Sequence, residues 1–102
     1  TPEIRVDCPD TLKFQLVDQV RTQLAAYLAE GQPVGASNLR MRELVTIDGV
    51  RAIFEDGWGL IRASNTQPAL VLRFEAPSPA RLDVIRATIE TELAQARRVL
   101  ST

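Results

Sequence analysis

Apolar residues recur along this chain with two different periods, and the change from one to the other marks its elements. Ile4 and Val6 alternate with Glu3, Arg5 and Asp7, the two-residue period of a short edge strand, and Pro9 with Asp10 ends it. Phe14, Val17, Val20, Leu24 and Leu28 then fall three or four apart, which predicts a helix over Thr11 to Ala29 with those side chains buried and Asp10 as its N-cap. Gly31 and Pro33 predict its end, a residue that tolerates a left-handed backbone followed by one that cannot continue a helix. The span from Gln32 to Arg42 has no period and is expected to be a loop.

From Leu44 the period returns to two. The β-branched run Val45, Thr46 and Ile47 leads into Asp48-Gly49, and Val50 to Phe54 leads into Asp56-Gly57, so both Asp-Gly pairs are expected to form hairpin turns with positive φ. Trp58 to Ala63 and Ala69 to Glu75 complete an antiparallel meander, the last strand turning Leu70, Leu72 and Phe74 inward and Val71, Arg73 and Glu75 outward. Ser78 and Pro79 form an N-cap and first-turn pair for a second helix, striped by Leu82, Ile85, Ile89, Leu93, Ala96 and Leu100. The expected fold is α+β: an antiparallel sheet of four to five strands with two amphipathic helices on one face, one domain over residues 1–102.

Composition narrows the function. A net charge of -1 lacks the basic excess of a nucleic-acid binder, and the longest apolar run, Leu24 to Ala29, is too short to span a bilayer. The single cysteine, Cys8, excludes an internal disulfide and any cysteine-cluster metal site, and fits a reducing cytoplasm. Histidine is absent, which removes the commonest general base and metal ligand, so catalysis by this chain alone is not expected. The chain starts at threonine, and its natural start is expected to lie upstream.

The candidate chemistry lies in RASNTQP, Arg62 to Pro68, between two strand patterns. Arg62 offers a planar fork of donors matched to phosphate oxygens, and Ser64, Asn65 and Thr66 add short hydrogen bonds around the same anion. Asn65 also tolerates a left-handed backbone, so successive N–H groups are able to turn toward one concave point. On residue types alone, a solvated turn between strands has the same composition. Trp58 is expected to pack at its strand start rather than stack on a sugar. Glu55 and Asp56, as sequence neighbours, read as turn and surface residues rather than an acid/base pair, and Cys8 reads as a small buried or edge thiol. Arg97 and Arg98 complement the second helix dipole, and Arg73 is assigned to the exposed sheet face, outside the site.

RASNTQP, with the preceding DGWGLI of Asp56 to Ile61 and the following ALVLRFEA of Ala69 to Ala76, resembles the C-terminal domain of bacterial phosphomannomutase/phosphoglucomutase, in the α-D-phosphohexomutase superfamily. About twenty contiguous residues carry the likeness. The opening TPEI, Thr1 to Ile4, is similar to the segment by which that domain leaves the rest of the enzyme, while Gln32 to Glu43 has no assigned counterpart. The resemblance implies a sheet-plus-helices fold like that of the TATA-binding protein. It implies a parent enzyme that interconverts hexose 1-phosphates and 6-phosphates through a 1,6-bisphosphate, using a phosphorylated serine, Mg2+ held by an Asp-rich loop and a separate sugar-reading loop. None of those three motifs occurs here.

The chain is therefore expected to be the excised phosphate-binding domain, itself not catalytic and without a cofactor of its own. Arg62, Ser64, Asn65 and Thr66 would anchor the phosphate remote from the reacting group. Its implied partners are a phosphosugar and the other domains of the parent, with no nucleic acid and no membrane, in the cytoplasm. A hinge is expected near Thr1 to Glu3, where such a domain would rotate to close over the sugar. The loop departs from the RPSGTEP form of related phosphoglucosamine and archaeal mutases, with Asn65 in place of glycine, which favours the dual mannose/glucose branch. The competing class is a noncatalytic interaction module that docks a protein through the exposed sheet face.

Overall fold

The computed structural model describes residues 3–101. Thr1 and Pro2, part of the expected hinge, lie outside the described residues. Five strands form one antiparallel sheet: β1 (Ile4–Asp7), β2 (Glu43–Val45), β3 (Val50–Ile53), β4 (Trp58–Ala63) and β5 (Ala69–Glu75), in the spatial order β1-β5-β4-β3-β2. Four of them make the expected meander, and β1 closes its far edge by pairing Arg5 with Val71 and Val6 with Leu70. Helices α1 (Asp10–Glu30) and α2 (Pro79–Leu100) share one continuous core with a single face of this sheet.

Strand alternation decides that face. Leu70, Leu72 and Phe74 on β5, Ile61 and Ala63 on β4, and Val50 and Ala52 on β3 are buried, against Ile85, Ile89 and Leu93 of α2 and Leu16, Val20 and Leu24 of α1. Each fully buried leucine or isoleucine contributes about 1.5–3 kcal/mol before the entropy of ordering is subtracted. The opposite face is open, and Arg51, Leu60, Arg62 and Arg73 stand on it. Val71 was expected outward and does lie on that face, yet it is buried, set in register between Arg5 and Arg62.

Helix α2 starts as expected: Ser78 is the N-cap, its Oγ accepting from the Arg81 N–H at 3.2 Å, with Pro79 in the first turn. Helix α1 departs from expectation at its start and on its buried face. Its N-cap is Pro9, without a side-chain cap, and Asp10 sits in the first turn, where its carboxylate pairs with Lys13 at 2.8 Å. Phe14 is 59% exposed and Leu28 is exposed too, while Lys13, Leu16, Val20 and Leu24 form the buried row. The helix carries apolar residues on two stripes, and the sheet takes the one that contains the lysine. The α1–α2 seam also buries Glu92, whose carboxylate accepts from Gln23 Nε2 at 3.0 Å and the Tyr27 hydroxyl at 3.4 Å. Burial and the neighbouring Glu92 push the Tyr27 hydroxyl up from its ordinary value.

Gly31 closes α1 in the left-handed conformation, φ 66, as expected. The loop that follows has no strand or helix, but Val34, Leu39 and Met41 on it are buried and cap the core. Of the two Asp-Gly turns, only the first has positive φ, at both Asp48 (57) and Gly49 (112). Gly57 is needed for a different reason. A Cβ there would lie 2.3 Å from the Glu75 carbonyl oxygen and 2.8 Å from Ile85 Cδ1, so the turn passes too close to β5 and α2 for any side chain.

Candidate functional site

The loop between β4 and β5 is shaped by a serine. Ser64 Oγ accepts from the backbone N–H groups of Thr66 (3.4 Å) and Gln67 (3.2 Å), a side-chain turn that folds the segment back on itself. Its own N–H donates to the Ala69 carbonyl at 2.9 Å, which closes the base of the loop. Asn65 was expected to supply a left-handed turn, and it does not: Asp48 is the only non-glycine residue with positive φ among the described residues. The Ser64 hydroxyl makes the turn instead, and the amides of Thr66 and Gln67 are directed at it.

Arg62, Ser64, Asn65 and Thr66 all line one concavity of about 290 Å³ beside the sheet edge. The geometry thus brings the four predicted residues together. Arg62 and Ser64 are half-buried, while Asn65 and Thr66 are exposed and their side chains have no hydrogen-bond partner among the described residues. Arg62 Nη1 lies 3.6 Å from the exposed carboxylate of Asp48, too long for a hydrogen bond and close enough for attraction. Arg5 and Glu3 line the same concavity, their side chains 3.5 Å apart. Arg5 was not a predicted site residue. Its place depends on β1 pairing beside β5, which no local pattern in the sequence reveals.

Three groups hold the loop from behind. Lys13 is the only lysine of the chain and is 5% exposed, and its Nζ donates to the Gln67 carbonyl at 3.0 Å while pairing with Asp10. The Cys8 N–H donates to the Pro68 carbonyl at 2.8 Å, and Arg5 Nη1 donates to Gln67 Oε1. Lys13→Met would keep the buried stem and strand the Gln67 carbonyl, so we expect a loss of about 1–3 kcal/mol in stability with faster amide exchange confined to residues 64–68. Hydrogen exchange followed residue by residue checks it; uniform loss of protection across the sheet would show that Lys13 serves the core rather than the loop. Cys8 itself is buried, and burial pushes its thiol up, which suits an inert side chain.

Other candidates are placed away from the loop. Trp58 packs on the open face with the Arg51 guanidinium 4.7 Å from its ring centroid, so its role is packing and cation–π contact. Asp56 is more than a turn residue: its carboxylate accepts from Arg81 Nε (2.6 Å) and Nη2 (3.1 Å), tying the β3–β4 turn to the start of α2. The Arg81 hydrogen bonds hold the Asp56 carboxyl below its ordinary value of 3.8. A carboxyl depressed in the folded state adds stability that is present above the unfolded value and fades as pH falls through the folded one. The thermal midpoint of the parent chain should therefore exceed that of Asp56→Asn by a constant margin at neutral pH, and the margin should shrink once pH drops below about 4. A margin that does not change with pH would remove the pairing as its cause. Among the described residues no group of three or more His, Cys, Asp or Glu side chains gathers to hold a metal ion, and no helix is long and apolar enough to cross a membrane.

Residues 3–92 match the sequence profile described as "Phosphoglucomutase/phosphomannomutase, C-terminal domain". The chain belongs to this family. As a phosphoglucomutase/phosphomannomutase C-terminal domain it is 45% identical over 93 residues to a phosphomannomutase/phosphoglucomutase of Pseudomonas putida, covering 91% of this chain and 17% of that protein. It is 43% identical over 86 residues to a phosphoglucomutase of Neisseria gonorrhoeae, covering 84% of this chain and 16% of that protein. A crystal structure of a phosphoglucomutase/phosphomannomutase family protein from Burkholderia thailandensis superposes with a TM-score of 0.69 at 35% identity, over 95% of this chain and 17% of that one. The chain thus spans about a sixth of the length of these relatives. Within the family domain, the segment without an assigned counterpart, Gln32 to Glu43, comprises the loop that caps the core and the first residue of β2.

Proposed function

We propose that this domain anchors the phosphate of a hexose phosphate remote from the reacting group, within a parent phosphomannomutase/phosphoglucomutase that interconverts hexose 1-phosphates and 6-phosphates. The observation that carries this reading is the convergence of Arg62, Ser64, Asn65 and Thr66, joined by Arg5, on one concavity at the sheet edge. Arg62 takes phosphate oxygens through its guanidinium. The Ser64 hydroxyl, whose lone pairs serve the loop backbone, still has its proton to donate outward, and the side chains of Asn65 and Thr66 supply further donors.

Such an anchor contacts phosphate oxygens and leaves the sugar ring to other parts of the parent. It therefore accepts either orientation of a bisphosphorylated sugar, and binding energy at the nonreacting end serves positioning at the other. The phosphorylated serine, the Mg2+ site and the sugar-reading loop belong in this reading to the rest of the parent, in the cytoplasm.

Titration of the 102-residue chain with inorganic phosphate and with glucose 1-phosphate, followed by amide shifts, tests the assignment. Selective shifts over residues 62–66 are expected, even at millimolar affinity. Silence there, with shifts appearing only when a protein partner is added, would transfer the domain to the docking class. A coupled mutase assay on the chain alone should show no turnover.

A further inference from the structure

The open face of the sheet holds a second concavity, adjacent to the loop and built from different residues. Arg51 on β3, Leu60 on β4 and Arg73 on β5 stand in one register row, and Arg62 is two residues beyond Leu60 on the same face. With strands about 4.8 Å apart and alternate residues about 6.8 Å apart, the three arginine Cα atoms form a triangle about 10 Å across. Side chains of that length border a common space, although the Arg51 guanidinium itself leans over the Trp58 ring, on the side of Leu60 away from Arg62. A concavity of about 230 Å³ lies there, lined by the three arginines and Leu60, with Asp48 as its only acid.

The charges in it are poorly matched. Three fixed cations face one carboxylate, and none of the arginines has a bidentate partner. Arg51 lies over the Trp58 ring, Arg62 is 3.6 Å from Asp48, and Arg73 makes no hydrogen bond or ion pair with any described residue. Like charges brought together this way are stabilised by a multiply charged oxyanion, which arginine forks fit better than any single carboxylate does.

We propose that this concavity is a second oxyanion subsite that takes a phosphate group, with Arg51 and Arg73 as its own ligands and Arg62 shared with the loop. The assignment goes beyond the loop reading and has only Arg62 in common with it, since Arg62 lines both concavities. Asp48 is the resident competitor. It engages Arg62 when no anion is bound and must give it up when one arrives.

Titrating the nitrogen-labelled chain with inorganic phosphate, while following the arginine Nε–Hε signals together with the amides of residues 64–66, separates the two sites. Arg51 and Arg73 signals are expected to move along their own saturation curve; Arg51→Gln should abolish the response at Arg73, and Arg73→Gln the response at Arg51, while the loop shifts stay in place. Asp48→Asn keeps a residue that tolerates the left-handed backbone at φ 57 and removes only the charge. It should tighten phosphate at Arg51 and Arg73 about two- to fivefold, the scale of an exposed ion pair.

A parallel titration with glucose 1-phosphate identifies the source: a response to the ester as well as the free ion marks a sugar-phosphate subsite, and a response to the ion alone marks a free-phosphate subsite. Loop shifts that saturate while Arg51 and Arg73 stay fixed overturn the second subsite and leave the loop reading intact. Shifts at Arg51 and Arg73 with a silent loop overturn the loop reading and leave the second subsite standing. Unchanged or weaker phosphate binding in Asp48→Asn overturns the competitor role.

Discussion

Arg62→Met is expected to weaken phosphate binding about ten- to a hundredfold, the equivalent of losing one charge-assisted interaction of about 1.5–3 kcal/mol. The fold should hardly notice. Methionine keeps an unbranched stem beside Val71, and the one ion pair lost, to Asp48, is long and exposed. Arg62→Lys restores the charge without the planar fork and should recover only part of the affinity. Dissociation constants from the phosphate titration, set beside thermal midpoints, read both effects. An affinity within about twofold of the parent chain, in a variant of unchanged midpoint, would put the anion elsewhere.

Gly57→Ala should destabilise the chain by about 2–3 kcal/mol, at the upper end of overpacking costs. The added methyl meets a backbone oxygen at 2.3 Å and a methyl of Ile85 at 2.8 Å, and the backbone oxygen belongs to a paired strand that cannot move alone. The φ at Gly57 is not positive, so the penalty is one of space and not of backbone preference. Gly31→Ala provides the contrast, because φ there is +66 with nothing within 4 Å, and its penalty should be about 1 kcal/mol. Denaturant unfolding of the two variants ranks them. If the Gly31 variant proves the weaker of the two, the close approach of the β3–β4 turn to β5 is misjudged.

The strands that flank the loop, Trp58–Ala63 and Ala69–Glu75, are legible in the sequence to the residue, because turn residues bound both runs and Leu70, Leu72 and Phe74 mark the inner face of the second, although Val71 is buried on its outer face. The second helix is legible for a similar reason: one apolar stripe, one serine cap and one proline in the first turn agree with each other. The first helix is harder. Phe14 and Leu28 fit a buried stripe as well as Leu16 does, and a lysine argues against the row that the sheet selects. Lys13 is tolerated there because its ammonium reaches a backbone carbonyl 54 residues away, a partner that no local spacing announces.

The site divides in the same way. Arg62, Ser64, Asn65 and Thr66 are neighbours in sequence, so their shared concavity follows from one short loop. Arg5 and Arg73 reach the neighbourhood through strand pairing, and only the sheet order places them. Even within the loop the turn-forming role of Ser64 is only partly legible. Its signal was present, a hydroxyl two and three residues ahead of the amides it binds, but Asn65 offered a competing way to make the turn.

That serine has a consequence for the timing of ligand exchange. In the proposed role, because its oxygen already gathers the amides of Thr66 and Gln67, an incoming phosphate would meet a contour that does not have to freeze first, and a departing one would leave no collapsed segment behind. A sugar that must let go, turn end for end and dock again would then wait on its own diffusion, and not on the slow rebuilding of the hand that catches it.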